Sequence, residues 1–301
     1  MNLNYAIFRS EPIYTLKDLA QIGSHNKREK KDYNSNPDIV LEKTKDNIEL
    51  KPLADKYVKG FYNITEEYKK EHDERMKTER EDRKRTYSQM LDRSKNVVAD
   101  EMIFTASPGF FKGLKSKDIK KWADTCMEFV YNDLGYTKEQ VLHATLHMDE
   151  KTPHIHCVVI PLVKKLDKRT NTERYTISKK QYIRDNKHLS DLQDKYCQRL
   201  NDKGFDLERG IKGSDAEHLK TKELKKATKY YENSTTFEIP EGVVNFTCNI
   251  AELKNITKLV MPASTTSINP RNLPTNISTV EIAETNEKIS GLDTCYFRAG
   301  D

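Results

Sequence analysis

At 301 residues the chain has room for one large domain or two smaller ones at about 150 residues each, and its 10 Phe, 15 Tyr and 1 Trp supply a core although 33% of residues are charged. It holds no run of about 18 apolar residues, no basic and small-residue signal in its first ten positions, and no C-x-x-C among five scattered cysteines. These features exclude a membrane-spanning protein, a secreted disulfide scaffold and a zinc ribbon, and lead us to expect reduced thiols and a cytoplasmic location.

A first strand is expected over Asn4–Phe8. Leu16, Leu19, Ala20 and Ile22 then recur at helical spacing up to Gly23, just before Ser24-His25-Asn26-Lys27-Arg28. Residues 29–54 are polar and broken by Pro37 and Pro52. Charge dominates from Ile64 to Lys95, where the absence of Gly and Pro favours one long solvated helix over a mobile arm. Val97–Thr105 reads as a strand and Pro108-Gly109 as a turn. Ile119, Trp122, Ala123, Cys126, Val130 and Leu134 mark an amphipathic helix closed by Gly135. Two strands follow at Val141–Met148 and His154–Leu162, then a helix over about 186–203 that stops at Gly204. The succession predicts an α+β fold, a central antiparallel sheet with helices packed on one face.

The character changes near residue 234. Asn255-Ile256-Thr257-Lys258-Leu259-x-Met261 recurs 21 residues later as Asn276-Ile277-Ser278-Thr279-Val280-x-Ile282, and Phe237-x-Ile239-Pro240 lies 22 residues before Leu259-x-Met261-Pro262. Such a period predicts a short β-rich repeat, with fewer turns than the three or so that usually stand alone. Phe237–Asp301 carries 5 basic and 8 acidic residues, which leaves 47 basic and 39 acidic in the first 236. The front part is therefore the one that attracts a polyanion.

The chemistry concentrates in His147-Met148-Asp149-Glu150-Lys151-Thr152-Pro153-His154-Ile155-His156. Strand alternation sets His154 and His156 on one face, with Ile155, Cys157 and Val159 on the other. On the preceding strand Leu142, Ala144 and Leu146 share the face opposite His143 and His147. If the two strands pair as a hairpin, His147, His154 and His156 converge. A lone strand histidine is usually a satisfied side chain. Three on one face, beside two carboxylates, are what a catalytic divalent metal requires. Asp149 and Glu150, at the loop, are candidates to orient a ligand or take a proton. His143 reads as a neighbour rather than a ligand, and His72, His188 and His218 as surface residues. His25 is a candidate nucleophile, since imidazole can form a phosphoramidate once a metal polarises a phosphodiester. Arg28 could grip the phosphate bidentately.

The histidine motif resembles the third motif of the Pre/Mob plasmid mobilization relaxases, the MobV group of histidine-hydrophobic-histidine endonucleases. The resemblance continues through Tyr5-Ala6-x-x-Arg9-x-Glu11, His25-Asn26-x-Arg28, Asn36-Pro37-Asp38, Asn47-Ile48-Glu49-Leu50 and Gly204-Phe205-Asp206-Leu207-Glu208-Arg209-Gly210, and spans about residues 1–232. It implies an enzyme that nicks one strand of plasmid DNA at an origin of transfer and stays bound to the 5′ end. By position, His25 matches the family's catalytic histidine, His147, His154 and His156 its metal triad, Glu150 a base or orienting group, and Arg28 and Arg93 residues near DNA. Mn²⁺ or Mg²⁺ is the expected ion, with three imidazoles favouring Mn²⁺. The expected partners are plasmid DNA, single- and double-stranded, together with a conjugative coupling protein and a second copy of the chain.

Two departures stand out. The family often has Tyr where this chain has Ile48, which leaves the nucleophile's role to His25. The segment 233–301 resembles a leucine-rich-repeat fragment rather than a helical tail. The competing readings are a replication initiator or transposase of the same superfamily, a hydrolase of small phosphoesters, and a DNA-binding protein that never cuts.

Overall fold

The computed structural model describes residues 4–30, 33, 36, 38–168, 170–210, 234–239, 245–246, 250, 253–262, 265–268 and 270–282. His218, the basic stretch Lys220–Lys229, Cys248 and Cys295 lie outside them. The chain divides into two compact units, Met1–Gly210 and Ile211–Asp301.

In chain order the first unit comprises β1 (Tyr5–Ile13), α1 (Leu16–Asn26), β2 (Ile48–Lys51), α2 (Tyr57–Ile64), α3 (Glu66–Thr78), α4 (Tyr87–Arg93), β3 (Ala99–Ala106), the four-residue α5 (Pro108–Phe111) and α6 (Ser116–Glu128). It continues through β4 (Val141–His147), β5 (His154–Val159), β6 (Leu162–Asp167), β7 (Thr172–Ile177), α7 (Asn186–Asp202) and β8 (Glu208–Arg209). Six strands form one sheet in the order β2-β4-β5-β3-β1-β8. The fold is α+β, as the sequence predicts. Its sheet is antiparallel except at one edge, where the short β8 lies parallel to β1 and pairs Tyr5 with Glu208.

The expectation of helices on one face is corrected: they cover both. On one side Phe8, Met102, Phe104, Ala144, Leu146, Ile155 and Cys157 pack against Trp122 and Cys126 of α6 and Tyr196 and Leu200 of α7. On the other, Ile13, Ala99, Leu142 and Val158 meet Leu19 of α1, Tyr57 and Phe61 of α2, and Tyr87 and Leu91 of α4. The strands alternate, so each feeds both layers. The one break lies at the start of β4, where a register shift between Val141 and His143 sends Leu142 to the second layer instead of joining Ala144 and Leu146. A bulge does this by inserting one residue against the partner strand.

Three local readings also change. Gly23 does not end α1, which is capped by Thr15 through the Asp18 amide and runs on to Asn26. A Cβ at position 23 would sit 2.6 Å from Cγ of Tyr57, so glycine there allows α1 to rest directly on that ring. The long charged helix is broken into α3 and α4, because Thr86 and Gln89 form a reciprocal capping box that starts a new helix. His72 is buried rather than exposed, with its Nε2 donating to the Arg85 carbonyl at 2.9 Å. The β6–β7 hairpin and the edge strand β2 lie in segments to which the sequence reading assigns no such elements.

In the second unit β9 (Thr236–Glu238), β10 (Asn245–Phe246), β11 (Lys258–Met261), β12 (Ser267–Ile268) and β13 (Thr279–Ile282) form two parallel sheets, β10-β12 and β13-β11-β9. Lys258 pairs with Thr236 on one side and Thr279 on the other, so the 22- and 21-residue sequence offsets are the strand register itself. Phe237, Ile239, Ile256, Leu259, Met261 and Ile268 fill its core.

Candidate active site

The hairpin β4–β5 does what the alternation predicts. His147 pairs across the strands with His154, and Thr145 with His156. The three rings meet with centroids 4.9–5.3 Å apart. The last turn of α1 brings His25 over them, 5.8 Å from His147 and 5.4 Å from His156. Four imidazoles thus gather between the sheet and one helix.

Hydrogen bonds fix which nitrogen of each ring is free. The Nε2–H of His147 donates to the Asn26 carbonyl at 2.9 Å, and the Nδ1–H of His154 to the Thr152 carbonyl at 2.8 Å. A carbonyl can only accept, so these nitrogens carry the protons. The Nδ1–H of His156 donates to Glu101 Oε1 at 2.9 Å. That leaves Nδ1 of His147 and Nε2 of His154 and His156 as lone-pair atoms, and the first and third are buried with no hydrogen-bond partner. Orphaned buried acceptors are costly. Lone pairs backed by N–H donation on the far side of the ring are how histidines hold a metal, and the ligand atoms that lie within 4.8 Å of one another form two sets sharing His147, one with His25 and His156 and the other with Glu150 and His154. Glu150 Oε1 stands 3.6 Å from His154 Nε2 and 3.9 Å from His147 Nδ1, close enough to share such an ion. Burial holds two of these rings neutral: it pulls His156 well below the usual histidine value and, reinforced by His156 and Arg28, His147 down to about 2.

Arg28 takes the left-handed backbone conformation, φ +53°, just beyond α1. This turns its guanidinium back under the site, where it is 3% exposed. Its Nε and Nη2 grip both oxygens of Asp149 at 2.8 Å, Nη2 also donates to Glu150 Oε1 at 2.7 Å, and Nη1 reaches the His25 carbonyl at 3.0 Å and its Nε2 at 3.2 Å. Every donor therefore points inward, and the expected grip on DNA becomes a grip on the site's own carboxylates. Burial alone would lower the Arg28 pKa, but Asp149 and Glu150 raise it. Asp149 is driven well below the carboxylate range, because Arg28, Asn47 and Thr44 outweigh its burial. Glu150 is lowered too, its burial outweighed by His154, Asn36 and Arg28. Burial and then Arg28 lower His25, which keeps its imidazole neutral near pH 7. Arg93 ends α4 exposed and is not among the residues drawn together here.

Residues 2–226 match the family model Mob_Pre, described as plasmid recombination enzyme. The chain belongs to that family. It is 30% identical over 227 residues to a plasmid recombination enzyme of a Bacillus species, covering 75% of this chain and 47% of the relative. It is 29% identical over 231 residues to the type 1 enzyme of Staphylococcus aureus, covering 76% and 50%. It thus spans about half the length of the curated relatives it matches. Among solved structures it resembles the MobM relaxase domain (MOBV; Mob_Pre) bound to plasmid oriT DNA in an Mn-bound crystal at pH 6.8. The TM-score is 0.58 at 25% identity, over 74% of this chain and 98% of that one. A second Mn-bound crystal of that domain with oriT DNA, at pH 5.5, gives 0.57 at 25% identity over 74% and 99%. The family match ends at residue 226, so the leucine-rich-repeat label for the tail receives no support from it.

Sequence reasoning passed over Asn26 and Glu101. Asn26 is 2% exposed and serves His147 through its carbonyl, while its amide donates to Glu101 Oε1 at 3.0 Å. The signal was present: Asp100 and Glu101 stand side by side in an otherwise apolar strand, and a carboxylate buried there needs partners. The departure at position 48 lies away from this site. Ile48 and Leu50 of β2 pack on the α6–α7 side of the sheet, while Glu49 between them reaches His143 on the other. Position 48 therefore faces away from the histidines.

Proposed function

We propose that this chain carries the DNA-nicking domain of a plasmid mobilization relaxase, placed at residues 1–232, with 233–301 as an appended repeat. The observation that supports it most is the set of three lone pairs, on His147 Nδ1, His154 Nε2 and His156 Nε2, beneath a neutral His25. The resemblance to an Mn-bound relaxase domain on oriT DNA points the same way.

The three imidazoles, with Glu150 at their edge, would hold Mn²⁺ in preference to Mg²⁺, which favours oxygen donors. Such an ion supplies Lewis-acid polarisation of the scissile phosphate. His25 attacks phosphorus with its Nε2 lone pair, a P–N bond forms and the P–O3′ bond breaks. The electron pair leaves with the 3′ oxygen, which takes up a proton as the imidazole gives up its own from Nδ1. A 5′-phosphoryl-histidine remains. Arg28 Nη1 donates to that Nε2 at 3.2 Å, which keeps it unprotonated, and this hydrogen bond is given up as the lone pair turns to phosphorus. Glu150 Oε1, 3.9 Å from that nitrogen, is the group placed to move a proton. The substrate is plasmid origin DNA in the cytoplasm. The described cysteines Cys126, Cys157 and Cys197 are buried and unbridged, and no described helix is long and apolar enough to cross a membrane.

The test is supercoiled plasmid carrying the gene with its upstream DNA, incubated with protein and Mn²⁺, then digested and searched by mass spectrometry for a nucleotide adduct. An adduct on His25 is expected. An adduct on a tyrosine would overturn the nucleophile, and tight binding without any cleavage would leave a DNA-binding protein.

A further inference from the structure

Behind the ligand face lies a run of polar groups that the nicking chemistry does not use, starting from the exposed Glu49 and buried from His143 inward. Glu49 Oε2 accepts from His143 Nε2 at 2.9 Å, His143 Nδ1 accepts from the Tyr57 hydroxyl at 2.6 Å, and the Tyr57 oxygen accepts from the Asn26 amide at 3.2 Å. That amide's second N–H goes to Glu101, the acceptor of His156. Each direction is settled by the next, since the Glu49 carboxylate only accepts and the amide nitrogen only donates. His143 is fully buried and Tyr57 is 1% exposed.

An apolar filling would serve stability as well. The surrounding layer is Leu19, Phe61, Leu142 and Val158, and Phe at 57 with Leu at 143 would complete it. The polar version also carries a cost, for it leaves Asn26 Oδ1 buried without a partner. The amide keeps that orientation because only its nitrogen can serve both Tyr57 and Glu101. Tyr57 further touches α1 through its ring, at the one place where Gly23 lets the helix come so close.

We propose that Tyr57, braced by His143 and Glu49, is a positioning residue that holds the His25–Asn26 turn of α1 in register with the imidazole face. The Asn26 carbonyl fixes His147, its amide fixes Glu101 and through it His156, and His25 is the residue before it. One hydroxyl thus sets two ligand rings and the nucleophile together, at a site built to be held from outside. This rests on the relaxase reading.

The full chain with Tyr57→Phe tests it. Mn²⁺ affinity by calorimetry should fall about 10–100-fold, the range for losing such a partner. In metal-free protein the ring ¹⁵N signals of His147 and His156 should lose their single tautomers, while affinity for origin DNA holds. His143→Gln, which can still accept from Tyr57 and donate to Glu49, should stay near the parent. His143→Phe should reproduce the loss. Parental Mn²⁺ affinity and ring signals in Tyr57→Phe would overturn the brace. If that variant does not fold, the His143 pair decides, and equal behaviour of Gln and Phe overturns it. A parent that binds no Mn²⁺ would instead sink the relaxase reading, while the ring signals still report on the brace.

Discussion

The two faces of the central sheet are made by the same strands and are opposite in character. Toward α6 and α7 the surface is apolar throughout its middle, with Phe8, Phe104, Phe129 and Tyr196 packed ring to ring at 5.1–6.2 Å. Toward α1 and α2 it is apolar at one end and holds His147, His154, His156 and Glu101 at the other. A period of two lets neighbouring residues on β5 do unrelated work, Ile155 in the core and His156 at the site. The polar face must also be roofed, because lone pairs tuned by burial need a low-dielectric cover. The C-terminal turn of α1 supplies it and delivers His25, the proposed nucleophile, in the same stroke.

The largest effect should come from the roof. His25→Ala should lower nicking at least about 10⁴-fold, as removal of a nucleophile does elsewhere, and abolish the adduct. Thermal stability should barely move, since the side chain is 29% exposed. A quantitative nicking assay with a melting curve checks both halves. The mirror experiment is Phe104→Ala on the opposite face. Deleting a fully buried ring there should cost about 3–5 kcal/mol, yet leave the Mn²⁺ affinity of the folded fraction at the parental value. A matching loss of affinity would show that the two faces are not independent.

Arg28 tests the seam between roof and sheet. Arg28→Met leaves Asp149, 1% exposed, as a buried carboxylate without its partner, and should cost about 3–5 kcal/mol along with activity. Adding Asp149→Leu should restore most of the stability and none of the nicking. Urea melts of the single and double variants measure the difference. Recovery of nicking in the double variant would show that the cluster serves only the fold.

What was legible follows the same division. Ile155 and Cys157 against His154 and His156 are a period-two pattern that any strand obeys, so the triad face could be read residue by residue. Gly23 misled because glycine has two uses: it ends helices, and it lets them touch. Here the second held, and α1 ran three residues further to deliver His25 and Asn26. Arg28 misled for another reason. Its inward turn depends on a positive φ and on Asp149, 121 residues away, and neither is a local property. Tyr57 and Glu101 acquire their roles only once α2 and β3 lie beside α1, a pairing no spacing in the sequence announces.

The smallest expected effect bears most directly on the alternation argument. Ile48→Tyr restores the residue that the family often carries there. Ile48 faces the α6–α7 layer with Leu50, pairs with Leu146 and has His147 pointing the other way. A phenol at 48 would emerge on the wrong side of the sheet. The strand lies at the sheet's edge and Ile48 is only half-buried, so the larger ring should shift stability by no more than about 1 kcal/mol, below the usual range for overpacking a sealed core. Nicking should be unchanged and the adduct should stay on His25. The decisive form is the double variant His25→Ala with Ile48→Tyr, assayed for adduct by mass spectrometry. It should be as inactive as His25→Ala alone. A phosphotyrosine at position 48 would mean that β2 can present that side chain to the histidine face, and the separation of the two faces would then fail at its edge.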